Sequence, residues 1–174
     1  FFFLLSMTAS LVVWSQIDSY PYCEDFEEGL SLEDIGWFQE VLENPDDGEI
    51  GWEVLATPYA VSGANVLSSS VPGEGNTHVL YSPVFSLPAG AKNVQMVYCV
   101  AATVDNMESA GVAVFTRYLS VNGETFEPLD IDSVWTSNGW TYKAISLSIG
   151  NLPNQVSVRF ALELNGVEGD VAGA

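Results

Sequence analysis

Basic side chains are scarce in this chain. Its 174 residues include four Lys and Arg against 23 Asp and Glu, which gives a formal net charge of −19. Proteins that bind nucleic acid or anionic lipid use clustered basic side chains to displace counterions. The sequence therefore argues against a nucleic-acid partner, and it favours a surface that attracts cations and repels other copies of itself.

Histidine and cysteine are also rare. His78 and the two distant cysteines, Cys23 and Cys99, are too few for a zinc site. The chain has no G-x-S-x-G nucleophile elbow, no phosphate-binding loop and no dinucleotide-binding motif. We therefore expect no enzyme activity, and we expect His78 to be a strand-edge residue.

Long apolar runs are missing too. Spanning a bilayer takes about 20 residues, and the longest mostly apolar stretch covers residues 1–13. That length is typical of the core of a signal peptide, and the small residues Val13 and Ser15 have the spacing of a cleavage site. We predict a signal peptide over residues 1–15, clipped at its N-terminus, no transmembrane segment, and a secreted, extracellular or cell-surface protein.

The remaining sequence is that of a folded domain. Hydrophobic residues make up 48% and aromatic residues 12% of the chain, far more than in disordered proteins. Residues 16–174 suit one domain with a full core. We predict a single domain there, clipped at its C-terminus because the tail ends just after a strand.

The two cysteines allow two interpretations. In an oxidising compartment Cys23 and Cys99 could pair, which would stabilise the fold by roughly 3–4 kcal/mol if the bond is unstrained. The alternative is two free, buried thiols, because sequence does not reveal the geometry that a disulfide needs.

Alternating apolar residues predict β-strands. Residues 155–164 place apolar side chains at every second position, which is typical of a strand with one face on the core. Residues 93–104 are apolar on both faces, which predicts a central strand. Asn122-Gly123, after the predicted strand 111–121, favours a tight hairpin turn.

Other segments complete an all-β pattern. Pro83 and Pro88 should restrict the segment 77–88 to an edge or bulged strand, and Ser31–Ile35 predicts a short turn. Many short strands separated by Gly, Pro and Asn predict an antiparallel two-sheet β-sandwich. The remaining predicted strands are 52–57, 64–69 and 140–149.

The order of short motifs resembles MAM-type domains and the jelly-roll domains of bacterial surface proteins, including the cleaved-adhesin type. The matching residues are Asp25-Phe26-Glu27, Gly36-Trp37, Trp52, Ser62-Gly63, Ser82-Pro83, the strand 93–104, Gly139-Trp140, and Phe160 through Gly169-Asp170-Val171-Ala172. The resemblance implies a jelly-roll sandwich, concanavalin-like or galactose-binding-like. The sequence departs from the MAM pattern at two points. It has no cysteine near Trp37, and Gly173-Ala174 stands where a further acidic pair should begin.

The same resemblance implies a structural cation site. In such jelly rolls, acidic residues of the first and last strands lie together, and calcium prefers oxygen ligands. Transferred to this chain, the ligands would be Glu27, Asp25 and Asp170. Alternation along a strand would place Asp25 and Glu27 on one face and Phe26 on the other, in the core. The alternative is a solvated acidic edge that discourages pairing with other strands.

Several aromatic residues could serve a ligand. Exposed rings can stack on the apolar faces of sugars. Trp37, Trp52 and Trp140 coincide with the resembling pattern, so we expect most of them in the core. Trp135 lies in a polar segment and is the best candidate for ligand contact, with a partly buried anchor as its alternative.

Three functions follow, in decreasing order of support. The first is a non-catalytic extracellular adhesion or recognition module that binds a glycan or a protein, with calcium as its structural ion. The second is a carbohydrate-binding module attached to a secreted hydrolase. The third is a lectin-fold glycosidase using Asp130 and Asp132, which would need two carboxyl groups flanking the scissile bond.

Overall fold

Strands dominate the computed structural model of the chain. It describes residues 16–29, 31–42, 51–69, 76–101, 112–123, 125–133, 140–148 and 156–167, and every regular element in these ranges is a strand. The predicted signal peptide lies outside them. The strands are β1 (Gln16–Ile17), β2 (Phe38–Leu42), β3 (Glu53–Ala56), β4 (Asn65–Ser68), β5 (Thr77–Tyr81), β6 (Val84–Leu87), β7 (Asn93–Val100), β8 (Val112–Val121), β9 (Glu127–Ser133), β10 (Thr141–Ser148) and β11 (Val156–Val167).

The larger sheet has seven strands built around β11. One side of β11 pairs with β8, which in turn pairs with β9. On the other side, β6 pairs with the beginning of β11 and β5 with its later part. Next to them, β2 extends the sheet beside β5, and the short β1 runs parallel to β6. All the other pairings are antiparallel among the residues described.

Two strand pairs, β7–β10 and β3–β4, form the second layer. One buried cluster joins Leu80 and Leu162 of the large sheet to Val54, Leu67 and Tyr98 of the second layer. A second cluster joins the β6, β8 and β11 side chains to Val94 and Met96 of β7. The core therefore lies between two layers, as in a β-sandwich.

The chain alternates between these layers as it proceeds. It runs from β2 to the β3–β4 pair, back to β5 and β6, across to β7, back to β8 and β9, across to β10 and finally to β11. Such alternation is the pattern of double-sheet jelly rolls. The predicted fold class, an all-β antiparallel sandwich of jelly-roll type, is confirmed. No helix in the described ranges is long and apolar enough to cross a membrane.

Local sequence signals correctly located several elements. The alternation in 155–164 corresponds to β11, whose Val158, Phe160 and Leu162 are buried. Asn122 and Gly123 have φ angles of 53° and 75°, as a tight hairpin turn requires. The weaker predicted strands 52–57 and 64–69 are β3 and β4.

The prediction for residues 77–88 was wrong. Instead of forming one edge or bulged strand, the segment is divided at Ser82 and Pro83 into β5 and β6, and each has a neighbour on both sides. The break places Pro83 outside the hydrogen-bond ladder between the strands, because proline has no N–H to donate to it. His78 is consequently not at an edge: it is fully buried between β2 and β11, and its Nδ1 lies 2.8 Å from the Ser69 hydroxyl.

The prediction for residues 93–104 was also wrong in part. Among the described residues, β7 pairs with β10 alone, and its outward positions are exposed, including Val97. Cys99 shares that outward face, and both Cys99 and Cys23 are exposed, free thiols in the structure. The structure therefore contains neither the predicted disulfide nor its alternative of buried thiols, because the alternation that sends Tyr98 inward sends Cys99 outward.

Candidate functional site

The outward face of the β7–β10 pair carries exposed aromatic rings. Trp140 directly precedes β10 and Tyr142 is its second residue, so their side chains share one face. They are 40% and 66% exposed, respectively. Two strand residues span roughly 6.6 Å, so the two rings are near neighbours on the surface.

A third ring belongs to the same surface. Tyr59 lies between β3 and β4 and is 80% exposed. Its carbonyl oxygen accepts a hydrogen bond from Trp140 Nε1 at 2.6 Å. This bond satisfies the polar edge of the indole and joins the two strand pairs of the second layer, so it holds the Trp140 ring beside the Tyr59 backbone while both side chains remain exposed.

Polar side chains lie on the same outward face of the β7–β10 pair, further along the strands from the rings. Gln95 Nε2 donates to Ser146 Oγ at 3.3 Å, and both residues are exposed. Their amide and hydroxyl groups offer both donors and acceptors. We name this surface the neutral strip and define it as Tyr59, Asn93, Gln95, Val97, Cys99, Trp140, Tyr142, Ala144 and Ser146.

Charge is missing from the neutral strip, since none of its nine residues is Asp, Glu, Lys or Arg. Lys143 lies between Tyr142 and Ala144 in sequence, but alternation directs it to the opposite face, where its cross-strand partner is Tyr98. A protein of net charge −19 thus presents an uncharged aromatic and polar surface.

The sequence pointed to a different tryptophan. Trp135 lies outside the described residues, so its ligand role stays a prediction. Trp37 and Trp52 pack against the core, as expected for most of these three residues, whereas Trp140 is 40% exposed. The alternating exposure of β10 explains the difference, because Ile145 turns inward while Tyr142, Ala144 and Ser146 face solvent.

The acidic motif near the N-terminus forms a turn rather than a strand. Phe26 has a φ of 59°, and its ring packs against the core with its centroid 5.9 Å from that of Trp37, which confirms its predicted inward position. Asp25 Oδ1 accepts from the Glu27 amide at 3.2 Å. Glu27 Oε1 accepts from the Ala64 and Asn65 amides.

These bonds bear on the predicted cation site. Asp25 and Glu27 are both engaged with backbone amides, and Asp170 lies outside the described residues. Within the described part of the chain, no three His, Cys, Asp or Glu side chains are grouped as a metal would require. Calcium binding through Glu27, Asp25 and Asp170 stays a prediction.

Asp130 has a structural partner. Its carboxylate pairs with Nη2 of Arg117, a residue fully buried inside the sandwich. The Asp132 side chain lies outside what the structure describes. Asp130 therefore serves as the counter-ion of a buried guanidinium, which accounts for a carboxylate at this position without catalysis.

Another aromatic group lies on the outer face of the large sheet. The Tyr81 ring is flanked by Phe38 and Phe126, with centroid distances of 5.9 and 5.5 Å, and the Arg159 guanidinium lies 5.1 Å from its centroid. The Tyr81 hydroxyl donates to Glu40. Burial raises the pKa of Tyr81, and the hydrogen bond to Glu40 raises it further. These half-buried groups are already partnered with one another, which is typical of packing.

A surface cavity of about 390 Å³ lies beside the N-terminal turn. Leu32, Glu33, Gln39 and Trp52 contribute to its lining. The Trp52 amide donates to Gln39 Oε1 at 2.8 Å, and its indole Nε1 donates to the His78 carbonyl at 3.4 Å. Since its polar groups are bonded within the protein, Trp52 is a packing residue of this wall.

Comparison with known protein families and with curated proteins found no match. Among solved structures, the chain is similar to the carbohydrate-binding module TmCBM61 in complex with β-1,4-galactotriose, at 15% identity and a TM-score of 0.47, over 84% of this chain and 91% of the other. It is also similar to the CBM22-1 xylan-binding domain of Xyn10C from Paenibacillus barcinonensis, at 16% identity and a TM-score of 0.40, over 77% and 87%. The MAM-type resemblance is not shown by these comparisons and stays a prediction.

Proposed function

We propose that the chain is a non-catalytic carbohydrate-binding module whose neutral strip is the glycan-binding surface. The observation that carries this proposal is the hydrogen bond from Trp140 Nε1 to the Tyr59 carbonyl. It holds the Trp140 indole against the segment that carries the exposed Tyr59, and the exposed Tyr142 extends this aromatic surface along β10. Attachment to a secreted hydrolase is the context in which such a module would act.

Stacking would supply the binding energy. Sugar rings have apolar C–H faces that pack on aromatic side chains, and each such side chain offers a large contact area. Trp140 and Tyr142 lie on or beside a strand that is paired along its whole length with β7. Because few groups need ordering when the ligand arrives, little of the stacking energy is lost to entropy.

Hydrogen bonds would orient the sugar. Gln95 and Ser146 lie on the same face as the rings, and their amide and hydroxyl groups match the donors and acceptors of sugar hydroxyls. Ligand sites commonly combine an apolar surface with a few polar groups in this way. This mixture suits a glycan, whose rings stack on aromatic side chains while its hydroxyl groups form hydrogen bonds.

The test is a glycan array followed by calorimetric titration of the bound glycan. We expect Trp140→Ala and Tyr142→Ala each to lower the affinity about fivefold or more, since a central interface aromatic contributes more than about 1 kcal/mol. Tyr20→Ala is the matched control, because Tyr20 is 44% exposed but belongs to the other layer, where its hydroxyl bonds to the Ser86 carbonyl. The Tyr20→Ala variant should bind the glycan with the same affinity as the unaltered chain.

Three results would overturn the proposal. One is an array on which no glycan binds, and another is binding that survives both strip substitutions. The third is turnover of the bound glycan, which would make the chain an enzyme. Circular dichroism of each variant checks that the strip substitutions leave the fold intact.

A further inference from the structure

We propose that the neutral strip selects uncharged glycans and rejects glycans that carry carboxylate or sulfate groups. This inference rests on the proposed function and specifies its ligand class. The observation behind it is how charge is distributed along the chain. No Asp or Glu occurs in residues 54–73, 75–104 or 133–162, and these three segments contain the whole neutral strip.

The cations of the chain lie elsewhere. Arg117 is buried inside the sandwich, and Arg159 lies against Tyr81 on the outer face of the large sheet. Lys143 has its cross-strand partner Tyr98 on the inward face. Lys143 adjoins Tyr142 in sequence but projects from the opposite face of β10, so none of the four Lys and Arg residues projects from the outward face beside the stacking rings.

Lys92 is the exposed cation that adjoins the strip in sequence. It is exposed and directly precedes Asn93, at the end of β7 away from the rings. Tyr142 is opposite Cys99, so roughly 20 Å of strand separate Lys92 from the stacking rings. That distance exceeds the Debye length of about 8 Å at physiological salt, so Lys92 offers little attraction there.

Two energies then oppose an anionic glycan. Placing a carboxylate against aromatic rings removes part of its hydration without supplying a partner. The net charge of −19 also repels a polyanion over a range set by ionic strength. A neutral glycan meets neither cost, so its affinity should change little with salt, whereas that of an anionic glycan should rise as salt screens the repulsion.

The test uses galactan, xylan and glucan, each as the neutral polysaccharide and as its carboxymethylated derivative. Occupancy is read from alkylation of Cys99 by iodoacetamide, an uncharged reagent. Cys99 lies in the strip opposite Tyr142, while Cys23 is exposed outside it and serves as an internal control. We expect at least one neutral polysaccharide to slow alkylation of Cys99 and not of Cys23. The carboxymethylated derivative of that polysaccharide should bind at least about tenfold more weakly in 10 mM salt, where the Debye length is about 30 Å. The ratio of the two affinities should be smaller in 500 mM salt.

A charge introduced into the strip provides a second measurement. Val97 is 48% exposed on the same face, so Val97→Lys should raise the affinity for the derivative, whereas the uncharged control Val97→Gln should not. Equal or tighter binding of the derivative by the unaltered chain, at both salt concentrations, would overturn the inference while leaving glycan binding intact. Failure of every polysaccharide to protect Cys99 would instead overturn the proposed function, and the inference with it.

Discussion

Glu27 connects two distant parts of the chain through one carboxylate oxygen. Its Oε1 accepts hydrogen bonds from the consecutive amides of Ala64 and Asn65, each at 2.7 Å. In return, Asn65 Nδ2 donates to the Phe26 carbonyl at 3.0 Å. Gly63 permits the approach, because it has a φ of +65° and a side-chain carbon there would collide with the Glu27 carboxylate.

We therefore expect Glu27→Ala to lower the free energy of unfolding by about 1–3 kcal/mol, the usual worth of hydrogen bonds to a charged group. Urea denaturation should give the same loss in calcium and in EDTA, since these bonds need no metal. The control is Glu28→Ala, an exposed neighbour, which should change stability by less than about 0.5 kcal/mol. A loss confined to the calcium buffer would contradict this role and would favour the predicted cation site.

At the scale of elements, β8 and β9 share a buried charge. The Arg117 guanidinium lies 4.9 Å from the centroid of the Phe115 ring and 6.0 Å from that of Tyr98. Its Nη1 donates to the Phe115 carbonyl at 2.9 Å, and its Nη2 pairs with Asp130. The β9 strand thus supplies the counter-charge for a cation enclosed between the layers.

Asp130→Ala should cost about 1–3 kcal/mol of unfolding free energy. Removing one member of a fully buried pair costs about 3–5 kcal/mol, but the Asp130 side chain is 41% exposed, so water can replace part of its interaction. Thermal and urea denaturation measure the loss. Glu127→Ala, an exposed carboxylate of the same strand, is the control, and an equal effect from both variants would contradict the assignment.

The whole molecule should lose stability in alkali. Burial raises the pKa of Tyr22, Tyr81 and Tyr118 above the ordinary value of 10.0, and a carboxylate beside each phenol raises it further. Tyr22 also packs edge-on against Phe85 of the core, with ring centroids 5.3 Å apart. The folded state therefore holds these protons more tightly than the unfolded chain does.

This linkage has a definite sign. The three phenols contribute fully to the free energy of unfolding below about pH 10. That contribution is lost as pH rises from there through their folded-state pKa values. We expect the free energy of unfolding to fall steadily above about pH 10. Urea denaturation at a series of pH values measures the slope. Tyr22→Phe, which removes one of these groups, should make the slope shallower, and an unchanged slope would contradict the assignment.

Local sequence by itself indicated most of the strands and which residues share a strand face. Apolar alternation located β11, and Asn122-Gly123 located a turn, because both signals depend on neighbours within a few residues. Composition argues against a nucleic-acid partner for a similar reason, since net charge needs no three-dimensional information. The two-layer architecture followed from counting such short strands.

Only the tertiary structure decided which strand face is covered and which is exposed. Alternation groups Trp140 with Tyr142 and separates them from Ile145, yet it does not say which group meets the core. His78 is buried because β2 and β11 flank it, and Glu27 finds its partners 37 and 38 residues away. Such contacts depend on how distant strands pair and stack. The neutral strip therefore emerges only when β7, β10 and the β3–β4 connection come together.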